Sequence, residues 1–150
     1  MAGIELRSPD FDDQAFIPER HSHDADNVSP SLEWMGVPSE AVELLLLCED
    51  PDAPGDAAFL HWLVTGIDPH TGGVPERGEP AGGQMWPNDF GETGWGGPAP
   101  PPGTPHRYIV SLYALGGHVE LPQRPTVDDV HRAAEAVELG HATLVGRYGR

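Results

Sequence analysis

The stretch AVELLLLCE at Ala41–Glu49, followed at once by Asp50-Pro51-Asp52-Ala53-Pro54, decides the fold. From Leu44 to Cys48 every residue is apolar, so both parities of the stretch are apolar, as in a strand covered on both faces. A buried helix is the alternative, because leucine is not a preferred strand former; the short length and the proline stop favour the strand. Two prolines fix φ and restrict the residues before them, so Asp50 and Asp52 are held in a stiff turn at the strand end. An ordinary turn with solvated carboxylates is the plain alternative to a functional acidic corner.

Working outward, Phe59–Ile67 (FLHWLVTGI) reads as a second strand and Arg107–Leu115 (RYIVSLYAL) as a third. In the second, simple alternation puts Leu60, Trp62 and Val64 on one face and Phe59, His61, Leu63 and Ile67 on the other. In the third, Tyr108, Val110 and Leu112 share a face. Residues 68–105 between them are dominated by loops. Upstream, the first thirty residues are polar and loop-like with apolar points at Ile4, Leu6, Phe11 and Phe16; Asn27–Pro30 reads as a turn and Leu32–Trp34 as a short strand. Downstream, Thr126–Leu139 is the clearest helix. Thr126 and Asp129 resemble a capping box, and Val127, Val130, Ala134 and Val137 fall on one side. Gly140 ends the helix, or it continues through His141; Leu144–Tyr148 is expected as a short final strand.

A length of 150 residues suits one domain spanning 1–150, and 38% hydrophobic residues suffice for one core. Gly (19) and Pro (17) alternate with apolar runs, which points to short strands joined by shaped loops. The formal net charge of −16 argues against nucleic acid and against anionic membrane surfaces as partners. The apolar run at Leu44–Cys48 is far too short to span a bilayer. One cysteine, Cys48, excludes an internal disulfide, and MAGIELRSPDFDD lacks a signal-peptide pattern, so a cytoplasmic protein is expected.

Four features could carry chemistry: the Asp50–Pro54 corner, His61 on its strand face, the proline-rich segment Gly97–Pro105, and His106-Arg107-Tyr108 directly after it. A lone histidine such as His61 is more often a hydrogen-bonded core residue. Proline lacks an N–H, so the Gly97–Pro105 segment is no central strand; a rigid cavity wall fits better than a polyproline ligand. If the strands of His61 and His106 are neighbours, both rings reach one cavity at the mouth of the Asp50 turn. Carboxylates and imidazoles together suit either an oxyanion, held by His N–H, Tyr O–H and backbone N–H groups, or a metal ion. No compact metal motif is present, so no metal or cofactor is assigned. No G-x-S-x-G or dinucleotide fingerprint is present, and Cys48 inside an apolar strand reads as an inert buried thiol. His21, His23, His70, His118, His131 and His141 are expected mostly at the surface.

Taken together, NVSPSLEWMGVP at 27–38, CEDPDAP at 48–54, FLHWLVTGI at 59–67 and NDFGETGWGGPAPPPGTPHRYIVSLYAL at 88–115, with a LVGRY end, resemble the phosphatidylethanolamine-binding protein family, in its bacterial Raf-kinase-inhibitor-like branch. The resemblance implies a mainly β fold: a large antiparallel sheet packed with a smaller one, plus a C-terminal helix. It also implies an anion pocket built from Asp50, Asp52, Pro54, His61, Gly97, Pro98, His106 and Tyr108. The implied function is binding of phosphate or a phosphorylated head group such as phosphoethanolamine, without catalysis; a metal-dependent or acid/base hydrolase using the same His/Asp cluster is the alternative. Modulation of another protein and homodimer formation stay open. Trp95 stands where the family commonly has Tyr, Ala99 where bacterial members often have Cys, and EAVELGHATLVGRY looks shorter or shifted.

Overall fold

The computed structural model describes residues 3–150. Two antiparallel sheets and one α-helix make the architecture. A small sheet has the order β1 (Glu5–Arg7), β2 (Leu32–Met35), β5 (Gly73–Val74). The large sheet has the order β6 (Gln84–Met85), β4 (Phe59–Ile67), β3 (Glu43–Asp50), β7 (His106–Leu115), β8 (Glu138–Tyr148). The helix α1 spans Val127–Ala136.

Strand β3 is the centre, and all its residues are buried. Leu44, Leu46 and Cys48 join the core between the sheets, with Leu32 and Trp34 of β2, Trp62 and Val64 of β4, and Tyr108, Val110 and Leu112 of β7. Leu45 and Leu47 point the other way, into a second core with Leu63, Tyr113, Leu115 and the Val127, Val130 and Ala134 stripe of α1. The two apolar parities of the sequence are therefore two covered faces, one under the small sheet and one under the helix.

In β4 the simple alternation fails at two places. Cys48 pairs with Trp62 and Glu49 with Leu60, so His61 has no partner on β3 and forms a β-bulge. Leu60 is thereby turned into the helix-side core, away from Trp62 and Val64, and Ile67 joins the inter-sheet core after a second shift near Leu44. The expected faces hold for β7 and are corrected for β4.

The C-terminal segment also differs from expectation. The capping box at Thr126 and Asp129 is present. The helix, however, ends at Ala136, not Leu139, and β8 starts at Glu138 and pairs with β7 along its whole length, not only from Leu144. Small inward residues such as Gly140, Ala142 and Gly146 carry no apolar alternation, yet the open edge of β7 supplies the hydrogen bonds that extend the strand. A Cβ at Gly146 would run into Ile17 and Phe11, whose side chains lie against this strand.

Candidate functional site

The Asp50 corner, His61, His106 and Tyr108 converge on one cavity of about 320 Å³, lined also by Ala53, Pro54, Phe59, Phe90 and the Ala99–Pro101 wall, with Arg150 contributing a cation. Antiparallel pairing explains the convergence: β3 lies between β4 and β7, so the C-terminal end of β3 meets the N-terminal ends of both neighbours.

Each imidazole is locked from behind. His61 donates Nδ1–H to the Gly96 carbonyl at 2.6 Å, and Gly96 N–H donates back to the His61 carbonyl at 2.9 Å. The bulge makes this clamp feasible, because its backbone is bonded by the 88–96 loop instead of by another strand. Asp89 accepts from Leu60 N–H at 2.8 Å, and buried Asn88 shapes the loop by accepting from Phe90 N–H at 2.9 Å and donating to Gly94 O at 2.9 Å. The NDFG stretch thus places Phe90 beside His61, with ring centroids 5.6 Å apart; Phe59 at 4.7 Å and Tyr108 at 5.2 Å complete an aromatic surround. Burial holds the His61 pKa below the ordinary histidine value, against the opposing pull of the Gly96 carbonyl and Asp50.

His106 donates Nδ1–H to Asp50 Oδ2 at 2.7 Å, and Asp50 Oδ1 accepts the N–H of Asp52 at 2.8 Å. The Asp50 carboxylate is therefore a buried orienting group. The Tyr108 hydroxyl is buried near Asp50 and finds no hydrogen-bond partner of good geometry among the described residues. Burial, then the negative charge of Asp50, push its pKa above the ordinary tyrosine value, so it stays a neutral donor. With both Nδ1 atoms committed, Nε2 of each histidine remains for an occupant, while the Tyr108 hydroxyl lies sealed beside Asp50.

The other expected site residues lie elsewhere. Asp52 does not line this cavity: it grips Arg107 through both oxygens, at 2.9 and 3.0 Å, and accepts Arg107 N–H at 2.9 Å, which lowers its pKa to about 2. Gly97 and Pro98 stand behind the wall. Gly97 N–H donates to Asn27 Oδ1 at 2.8 Å and Pro98 O accepts from His23 N–H at 3.0 Å, while a Cβ at 97 would collide with the His21 carbonyl. Phe90 and Arg150 were not singled out from sequence. Phe90 had a signal, since it sits inside the NDFG motif; Arg150 had none. Among the other histidines the surface expectation is corrected three times. His21 is fully buried beneath the Gly97 backbone, His23 is half-buried and stacked on Phe90, and His131 is half-buried against Glu49 of β3.

The fold is that of a two-sheet β domain with a helix on one face and a pocket at a strand end. The comparisons narrow the class. The phosphatidylethanolamine-binding protein family profile matches residues 7–149, and the chain belongs to that family. A UPF0098 protein of Methanothermobacter thermautotrophicus is 41% identical over 98% of this chain and 99% of its own. LppC of Mycobacterium tuberculosis, which carries a lipoprotein name, is 40% identical over 97% of this chain and 72% of its own. The crystal structure of Escherichia coli YbcL, described as a new member of the mammalian PEBP family, superposes with a TM-score of 0.91 at 26% identity, covering 99% of each chain. Among the described residues no helix is long and apolar enough to cross a membrane.

Proposed function

We propose that the chain binds a small phosphorylated or other oxyanionic molecule in the Asp50–His61–His106–Tyr108 cavity and performs no chemistry on it. The observation that carries this reading is the set of uncommitted hydrogen-bonding positions around one small cavity, the two imidazoles among them each held by a fixed partner at Nδ1. A neutral His61 or His106 presents a bare Nε2 and accepts from a phosphate P–OH; protonated, it donates to P–O⁻. Phe59, Phe90, Pro54 and the proline wall supply an apolar rim that strengthens these bonds by excluding water. An ammonium group on the same ligand would find Asp50 and the aromatic faces. The alternative, a metal-dependent or acid/base hydrolase using the same His/Asp cluster, gains no support from the family match. A cytoplasmic location belongs to the same reading and is checked by cell fractionation.

Isothermal titration with inorganic phosphate and with phosphoethanolamine, between pH 5 and 8, tests the proposal. Affinity rises as pH falls below the ordinary histidine range, because the lowered His61 pKa delays its second donor to that side. Tighter binding of phosphoethanolamine than of phosphate identifies the ammonium contact. Absence of binding across the range, or affinity that grows with pH, contradicts the reading.

A further inference from the structure

Away from the cavity, on the opposite side of the Gly97 wall, a second polar cluster is built around a fully buried histidine. His21 closes the short 3-10 helix Glu19–His21. Its Nδ1–H donates to the Val28 carbonyl at 2.8 Å, and its own carbonyl accepts from Trp95 Nε1–H at 3.1 Å. The ring is thus fixed in one tautomer, with a lone pair on Nε2. That Nε2 has no hydrogen-bond partner among the described residues. It points at Asp10 Oδ2, 3.6 Å away, and Glu76 Oε1, 3.9 Å away. The three ligand atoms all lie within 4.8 Å of one another.

Both carboxylate oxygens already accept hydrogen bonds, Glu76 Oε1 from Arg20 Nε–H and Asp10 Oδ2 from Ser31 N–H at 2.8 Å, but no donor faces the Nε2 of His21. The separations are too long for a hydrogen bond from an imidazolium. They are close to those of atoms sharing a metal, since ligands about 2.0–2.2 Å from a tetrahedral ion stand roughly 3.3–3.6 Å apart. The Val28 carbonyl behind Nδ1–H is the kind of outer partner that orients metal-bound histidines. Arg20 holds both carboxylates from the outer side, through Nε to Glu76 Oε1 at 2.9 Å and Nη2 to Asp10 Oδ1 at 3.0 Å. It positions the ligands and tempers the site's charge, while the net charge of −16 draws cations to the molecule. We propose that Asp10, His21 and Glu76 form a divalent-cation site. One imidazole nitrogen with two carboxylate oxygens suits zinc better than magnesium or calcium, which favour all-oxygen sets. The ion would staple the N-terminal strap, the short helix and the loop after β5, leaving at least one coordination position to water.

The test uses the full chain stripped with a chelator and titrated with zinc chloride alone. Calorimetry is expected to give a site of micromolar or tighter affinity, and thermal unfolding to shift up by roughly 5–10 °C at a hundredfold excess over Kd. On zinc addition the ¹⁵N resonance of His21 Nε2 moves while Nδ1–H persists. Replacing buried His21 risks the fold, so the variants are Glu76→Gln and Asp10→Asn on partly exposed side chains, each weakening zinc at least tenfold. No uptake tighter than about 100 μM, equal uptake by the wild type and the double variant, or an equal shift with magnesium overturns the assignment.

Discussion

Two adjacent carboxylates on β3, Glu49 and Asp50, point to opposite faces of the large sheet, and each meets a histidine near a tyrosine of β7. On the helix side, Glu49 accepts from His131 Nε2–H at 2.6 Å and Tyr113 O–H meets His131 Nδ1 at 2.7 Å. On the cavity side, Asp50 accepts from His106 Nδ1–H, but the Tyr108 hydroxyl and both imidazole Nε2 atoms are left uncommitted. Residue types are nearly the same in the two places; only the saturation differs. The closed triad holds a helix to a sheet, whereas the open one is the proposed ligand site. What distinguishes them is cover: α1 lies on Glu49, while the Ala99–Pro101 wall stands off from Asp50 and leaves a cavity.

The largest expected contrast comes from the carboxylates. Glu49→Ala strands a partly buried His131 and lowers unfolding stability by about 2–4 kcal/mol, with phosphate affinity unchanged. Asp50→Ala frees the His106 ring and reduces phosphate affinity by about 100-fold. Denaturant unfolding shows both variants destabilised, since each breaks a buried pair, whereas calorimetry shows phosphate affinity lost only in Asp50→Ala; an equal loss of affinity in both would erase the distinction.

The tyrosines sharpen it. Tyr113→Phe removes a made hydrogen bond and costs about 1 kcal/mol. Tyr108→Phe removes a buried hydroxyl without a partner, so stability holds or rises by up to about 1 kcal/mol. A Tyr108→Phe protein less stable than Tyr113→Phe would show that the hydroxyl is already engaged.

The smallest effect is in pH. Glu49 raises the His131 pKa, so this pair adds stability in full below about pH 6.5 and loses it as pH rises through the raised value. His61 has the opposite sign: its pKa is lowered by burial, so stability falls as pH drops from about 6.5 toward that lowered value. Unfolding profiles of His131→Gln and His61→Gln between pH 5 and 8 separate the two slopes.

Much of this was readable from residues. The apolar parities of Leu44–Cys48, the β7 face of Tyr108, Val110 and Leu112, the Thr126–Asp129 cap and the loops of 68–105 follow from local pattern. The bulge at His61 was not readable, because an extra residue leaves no mark on composition and inverts the inferred faces of β4. Nor was β8, whose first half carries Gly140, His141 and Ala142 and forms only because β7 offers an edge. DPDAP announces a stiff acidic corner, but a motif cannot say that Asp52 faces Arg107 and Asp50 faces His106; that division is set by which way the strand alternates as it ends. The burial of His21 depends on the close approach of Gly97, far along the chain, so its local setting resembled that of a surface histidine.

The central claim is that uncommitted hydrogen-bonding positions, not residue types, mark the binding corner. Imidazole ¹⁵N spectra of the wild-type protein, recorded while inorganic phosphate is added at pH 6, test it most directly. The account predicts saturable shifts at Nε2 of His61 and His106 with His131 unmoved. Shifts at His131 of equal size, or none at His61 and His106, would contradict it.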